Sequence, residues 1–220
     1  MSDGFVALVD RSVAFFAELR DNNTKDFFEP RKDFYTSEIK KPAELLAKVL
    51  GGEIGRATGR ALKPKLFRIY RDVRFSKDKT PYNAHLHLSW TEPQSGAPAW
   101  FFGAAPDYLI LGMGLMQIDG PALTRFRALV DAQGDALAAD LAKAGAEAGV
   151  TISDWGPAPL KRVPKPYEQD HPHAALLKRK AFAAHGPLAP SWREEGLLPA
   201  VLRNVSAMLP LWKRLRDGMC

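Results

Sequence analysis

The sequence predicts a single α+β domain spanning residues 1–220, with an antiparallel or mixed sheet from the middle of the chain packed against N- and C-terminal helices. Three observations predict it. Apolar residues recur at helical spacing up to Leu50, short alternating runs occupy residues 66–115, and helical spacing returns from Gly120. No internal repeat or composition shift marks a second domain.

The elements follow in order. Phe5, Leu8, Val9, Val13, Phe16 and Leu19 form one face of a first helix, which Asn22 and Asn23 stop. Thr24 is placed to cap a second helical stretch, interrupted by Pro30, which continues through Ile39 and, past Pro42, to Leu50; Gly51 and Gly52 are expected to end it. The runs LFRIYRDVRF, AHLHLSW, AWFFGAA and DYLILGMGL then read as strands, separated by the turn-rich KDKTPYN and TEPQSGAP. Helical spacing resumes through Leu123, Phe126, Leu129 and Val130, and again through Leu137, Leu141 and Ala144. A proline-rich passage with Pro157, Pro159, Pro164, Pro166 and Pro172 carries Trp155, Leu160, Val163 and Tyr167, apolar residues that an ordered strap needs and a free linker lacks. A helix-like segment, LLPAVLRNVSAMLPLWKRLR, closes the chain.

Cys220 is the single cysteine, so no internal disulfide forms. The opening residues lack the basic start and apolar stretch of a signal peptide, and YLILGMGLM is too short to span a bilayer, which predicts a cytoplasmic protein with no membrane partner. Net charge is +6, and residues 60–79 alone carry eight Lys/Arg against two Asp, so the rest of the chain sums to zero, a second local excess at 161–180 being balanced by acids elsewhere. Basicity this local suits a site for anions better than a uniformly positive coat.

Within the first excess, RIYRDVRFSKDKTPY interleaves charge with Ile69, Tyr70, Val73, Phe75 and Tyr82, residues that favour a half-buried surface. Arginine offers a planar fork of donors to phosphate or carboxylate, and lysine a mobile point charge. If residues 66–75 form a strand, Arg68, Tyr70, Asp72 and Arg74 share one face, with Asp72 aligning the guanidinium groups. The turn from Ser76 to Thr80 would then bring backbone N–H groups, Lys77 and Lys79 toward the same anion. The expected ligand set is Arg68, Arg71 and Arg74, with Asp72 as orienter, Asp78 in the turn, and Lys79 and Tyr82 at the mouth.

At these residues the sequence resembles the domain of unknown function 2461 family. The pattern is Arg68, Arg71-Asp72, Arg74-Phe75, Asp78-Lys79 and Tyr82, supported by FFAELRDNNTKDFF, the Gly112-Met113-Gly114 turn and LKRVPKPYEQDHP with LLKRKAF. The resemblance covers nearly the whole chain and, as the family's name says, implies no activity. His87 and the run LHLSW depart from the family pattern, so a role built on His87 would belong to this chain.

The strap KPYEQDHP is stiffened by Pro164, Pro166 and Pro172 and is expected to fold over the sheet and close the site. It would bring Asp170 or Glu168 to an arginine of the motif, with Tyr167 or His171 at the edge. The competing expectation is that DHP only caps the next helix. His85 and His87 lie on one strand face, but no third ligand has suitable spacing, so polar strand-face histidines are expected and no metal. No nucleotide-binding glycine loop or nucleophile elbow occurs, and no cofactor is expected.

The resulting functional expectation is a protein binding a phosphate- or carboxylate-bearing small molecule through residues 68–82. Proton transfer or hydrolysis at the bound anion is the chemistry that would fit, and whether turnover occurs is left open. The alternatives are a nucleic-acid-binding module, favoured by basic residues beside Tyr70, Phe75 and Tyr82, and a protein-interaction scaffold in which the basic motif is an architectural salt-bridge network.

Overall fold

Strand alternation sets the architecture. The computed structural model describes residues 4–93 and 96–220, so Gln94 and Ser95 of the expected TEPQSGAP turn lie outside the described residues. Six strands, β1 (Lys63–Leu66), β2 (Leu86–Thr91), β3 (Ala99–Ala105), β4 (Tyr108–Leu115), β5 (Thr151–Ile152) and β6 (Phe182–Pro187), form one sheet in the order β1-β2-β3-β4-β6-β5. Every pairing is antiparallel. In β2, Leu86, Leu88 and Trp90 are buried while His87 and Ser89 are only half-buried, the two-residue period of a sheet whose faces meet different surroundings.

The buried face meets helices. α1 (Phe5–Asp21) packs on β3, and after the short α2 (Lys25–Phe28), a 3-10 turn (Glu29–Arg31), α3 (Lys32–Phe34) and a π-helical segment (Tyr35–Lys40), α4 (Lys41–Thr58) packs on β1 and β2. α5 (Gly120–Ala148) packs against β6 and the terminal helix, with α6 (Ala174–Leu177) beside it. α7 (Trp192–Glu195) leads into α8 (Leu197–Met219), which covers β4. None of the described helices is long and apolar enough to cross a membrane.

Three indoles tie the two layers. Trp90 and Trp100 are register partners on β2 and β3, and Trp100 stacks on Trp212 of α8 with centroids 6.0 Å apart. Trp90 Nε1 donates to Ala47 O at 2.7 Å and Trp212 Nε1 to Pro98 O at 2.9 Å, so each of these buried N–H groups is satisfied. A Cβ on Gly51 would stand 3.1 Å from the Trp90 ring. Contrary to expectation, Gly51 and Gly52 do not end α4: Gly51 lets its backbone approach the sheet, and the helix runs on to Thr58, with Gly59 taking the left-handed conformation at φ 69°.

One further expectation is revised. Residues 66–75 are not a strand: pairing with β2 ends at Leu66, and residues 67–81 form a long loop closed by an isolated bridge between Tyr70 and Tyr82. The late segment adds β5 and β6 to the sheet from the middle of the chain. Both helical runs after Gly120 lie in α5, which is kinked at Gln133 (φ −135°, ψ 22°). Thr24 caps as expected, its hydroxyl accepting from Phe27 N at 3.3 Å.

Gly114 sits at φ 141°, and a Cβ there would lie 2.0 Å from Phe182 O across the β4–β6 pairing. Gly114→Ala is therefore expected to destabilise the fold by about 2–4 kcal/mol, combining backbone strain with overpacking against a carbonyl. Denaturant unfolding of the variant and wild type measures this, and equal midpoints would contradict the close packing of β4 on β6.

Candidate functional site

The basic loop is fastened to itself. Arg71 donates to Asp78 Oδ2 at 2.6 Å, to Thr80 O at 3.2 Å and to the Thr80 hydroxyl. Arg74 grips Asp72 with two donors, at 2.9 and 2.7 Å, and Lys79 Nζ caps Val73 O at 2.9 Å. Asp78 also accepts from Thr80 N at 2.9 Å. The Thr80 backbone N–H, then Arg71 and the Thr80 hydroxyl, hold the Asp78 carboxyl down at about 2, and the Arg74 guanidinium lowers that of Asp72. Arg71, Arg74 and Lys79 thus have separate partners and do not converge on one point. Arg68 and Lys77 make no hydrogen bond or ion pair through their side chains among the described residues. Tyr82 does not line a mouth: it is 2% exposed and packs on Phe28 at 4.4 Å. Its backbone N–H and C=O are paired by the Asn23 side chain, which acts as a one-residue strand partner pinning the loop to the end of α1.

The strap lies elsewhere. The strand order puts β1 and the basic loop at one edge of the sheet, and the segment after β5 starts from the other. His171 Nε2 meets Asp131 of α5 at 3.1 Å, and Tyr167 packs edge-on to His171. His173 likewise meets Asp135 at 2.9 Å across Gly134, whose missing side chain admits the His173 ring. No hydrogen bond, ion pair or ring contact joins Tyr167, Glu168, Asp170 or His171 to Arg68, Arg71 or Arg74 among the described residues. The expected closure of one site by the strap is therefore corrected: its histidines take their acids from α5, beside the kink.

A different site occupies the sheet face turned away from the helices. A cavity of about 580 Å³ opens there, floored by Gly103 and Ile110 and walled by Phe67, Phe101, Tyr108 and Trp155. Register builds it. His87, Gly103 and Ile110 lie side by side on β2, β3 and β4, as do Ser89, Phe101, Gly112 and His185 across β2, β3, β4 and β6. A Cβ on Gly112 would fall 2.1 Å from the Phe101 ring, and one on Gly103 would crowd Tyr108 at 3.0 Å and His87 at 3.2 Å. The two glycines are what allow these rings to lie over the sheet.

Polar groups enter the cavity at two places. His87 Nε2 and Tyr108 Oη are 2.7 Å apart, with the His85 ring stacked on His87 at 3.7 Å. His185 Nδ1 meets Ser153 Oγ at 2.7 Å, and Trp155 stacks on the His185 ring at 4.6 Å, nearly parallel. Burial, reinforced by His85, pushes His87 down to about 4; burial alone lowers His85 and His185. Burial and the neighbouring Asp107 raise Tyr108 to about 12. All of these groups are uncharged near neutrality. A base at about 4 and an acid at about 12 are far from the values that suit proton transfer at pH 7, and they suit recognition by hydrogen bonding.

Sequence reasoning weighed His87 as a site residue and placed Trp155 in the strap, but gave no site role to Tyr108, Trp155 or His185. The available signal was Gly103 and Gly112 within strand patterns, which marks close approach by something over the backbone.

A family model described as "Conserved hypothetical protein (DUF2461)" matches residues 11–213. The chain belongs to this family, as the motif of residues 68–82 suggested. No curated protein matches the chain.

Because His87 titrates near 4 in the fold against an ordinary value of 6.5, the unfolded chain binds the extra proton between those values. The stability that neutral His87 retains is complete above about pH 6.5 and is lost as pH falls toward 4. Thermal unfolding midpoints are expected to drop across that window, and His87→Gln to drop less over the same window. Parallel pH profiles for the two proteins would contradict the burial of a neutral His87.

Proposed function

We propose that the protein binds a largely apolar, uncharged small molecule in the cavity on the open face of its sheet. The observation that carries this reading is a cavity of about 580 Å³ with aromatic walls and polar groups that all stay neutral. Ligand sites commonly occupy about 300–1,000 Å³ and combine apolar walls with a few convergent hydrogen-bonding groups. Charged ligands fit less well, because a desolvated charge needs a partner and the cavity walls offer none. Phe67, Met116 and Trp155, each more than a third exposed, form an apolar rim that a ligand would cover.

The uncharged dye N-phenyl-1-naphthylamine tests this reading. It should bind wild type saturably with a rise in emission, and Trp155→Ala should weaken binding roughly tenfold, the loss expected when one aromatic wall no longer buries the ligand. Non-saturable binding, or equal affinity for the variant, would count against the cavity as a ligand site.

A second reading, anion binding at residues 68–82, is favoured by the side chains of Arg68 and Lys77, which make no hydrogen bond or ion pair among the described residues. On that reading Arg68→Ala weakens the stabilisation of the protein by inorganic phosphate in thermal unfolding, while Arg71→Ala loosens the loop. Absence of any phosphate effect on wild type would remove it.

A further inference from the structure

We infer that the cavity selects flat, uncharged aromatic ligands carrying a hydrogen-bond acceptor, which His185 reads through an Nε2–H donor set by Ser153. The inference rests on the cavity being a ligand site and adds the chemistry of what it takes.

Ser153 is 3% exposed and follows β5, its N–H donating to Ala183 O at 2.8 Å and its carbonyl accepting from Arg179. Its hydroxyl has one partner among the described residues, His185 Nδ1. If Nδ1 carried the imidazole proton, it would donate to Ser153 Oγ and leave the hydroxyl proton buried without an acceptor. Such an orphan costs more than a hydrogen bond returns. The arrangement that satisfies both atoms has Ser153 donating to Nδ1, which places the imidazole proton on Nε2. That nitrogen has no hydrogen-bond partner among the described residues, and His185 lines the cavity.

The surroundings narrow the ligand. Trp155 stacks on the His185 ring and tilts against Phe101 at 5.4 Å, so the donor lies in an aromatic corner. Flat rings fill such a corner best, by offset stacking or edge contact. An N–H in apolar surroundings gains most from a neutral acceptor such as an aromatic carbonyl or ring nitrogen, because a carboxylate would shed its hydration for a single uncharged donor. Ser153 is then a positioning residue, acting through His185.

Three two-ring probes of similar size separate the possibilities: coumarin with a carbonyl, isoquinoline with a ring nitrogen, and naphthalene with neither. Each is titrated at neutral pH into the full chain while binding is followed by isothermal titration calorimetry. His185→Phe should weaken coumarin, isoquinoline or both by about three- to tenfold, the worth of one hydrogen bond, and leave naphthalene unchanged. His185→Gln, which keeps an N–H donor, should restore most of the loss. Ser153→Ala should lower the ratio of acceptor-probe to naphthalene affinity in the same direction, and Ser153→Thr should restore it. A structural role for Ser153 would instead lower the thermal midpoint and weaken all three probes alike, and that result overturns its assignment as a positioning residue. Equal losses for acceptor probes and naphthalene in His185→Phe overturn the donor itself. If none of the probes binds wild type, the cavity is not a small-molecule site and this inference falls with that reading; if all bind without discrimination, this inference alone fails.

Discussion

The structure depends on an antiparallel sheet that is covered by helices on one face only. With a side-chain period of two, each residue sent to the helices has a neighbour sent the other way. On the helical side the constraint is met by large indoles, two of which find carbonyls for their N–H groups: Trp90 on Ala47 and Trp212 on Pro98. On the other side no helix arrives among the described residues, and the outward residues of β2, β3, β4 and β6 are covered by one another and by Phe67 and Trp155 from the flanking loops. They manage this by laying Phe101 over Gly112, and Tyr108 and His87 over Gly103. Rings of that size, supported from below by backbone rather than side chains, leave space between them, and the cavity is that space.

Burial of this kind also determines the cavity's electrostatics. Histidines placed among aromatic rings lose the hydration that would stabilise their charge, so they hold to the neutral form. The arginine loop presents the opposite case. Its charges stay near water, and those of Arg71, Arg74 and Lys79 are satisfied locally by Asp72, Asp78, Thr80 and backbone carbonyls. One chain therefore holds two polar clusters under different rules, and only the more exposed one stands out as a run of charge in the sequence.

That difference explains what was legible. The α+β class, α1, the helix behind Thr24 and the strands β2 to β4 are local patterns, readable from periodicity and capping. The loop at 66–75 imitates a strand because Ile69, Tyr70, Val73 and Phe75 suit one, yet its backbone partners lie on the returning arm of the loop, with Arg71 N on Pro81 O and Asn83 N on Ile69 O, and that arm is pinned at Tyr82 by Asn23, 59 residues away. β6 was hidden for the converse reason: FAAHGP has weak strand character and is held in place by β4 on one side and β5 on the other. The cavity escaped notice because its members come from strands far apart in sequence, and register alone brings them side by side.

The loop and the cavity are nonetheless one construction. Phe67, where the loop departs from β1, donates its N–H to His87 O at 3.0 Å and sets its ring edge-on to His87. His85, where the loop returns to β2, stacks on the same His87 ring. Between these two points the chain is drawn together by Arg71 N on Pro81 O, by Asn83 N on Ile69 O and by the Arg71–Asp78–Thr80 cluster. An exposed ion pair contributes little to global stability, about 0–1 kcal/mol, so this network matters less for whether the chain folds than for where the two ends of the loop are held. Those ends are Phe67 and His85, a wall of the cavity and the stacking partner of His87. The arginine motif, which in the sequence looks like a site of its own, sits in the structure as the brace of the neighbouring one.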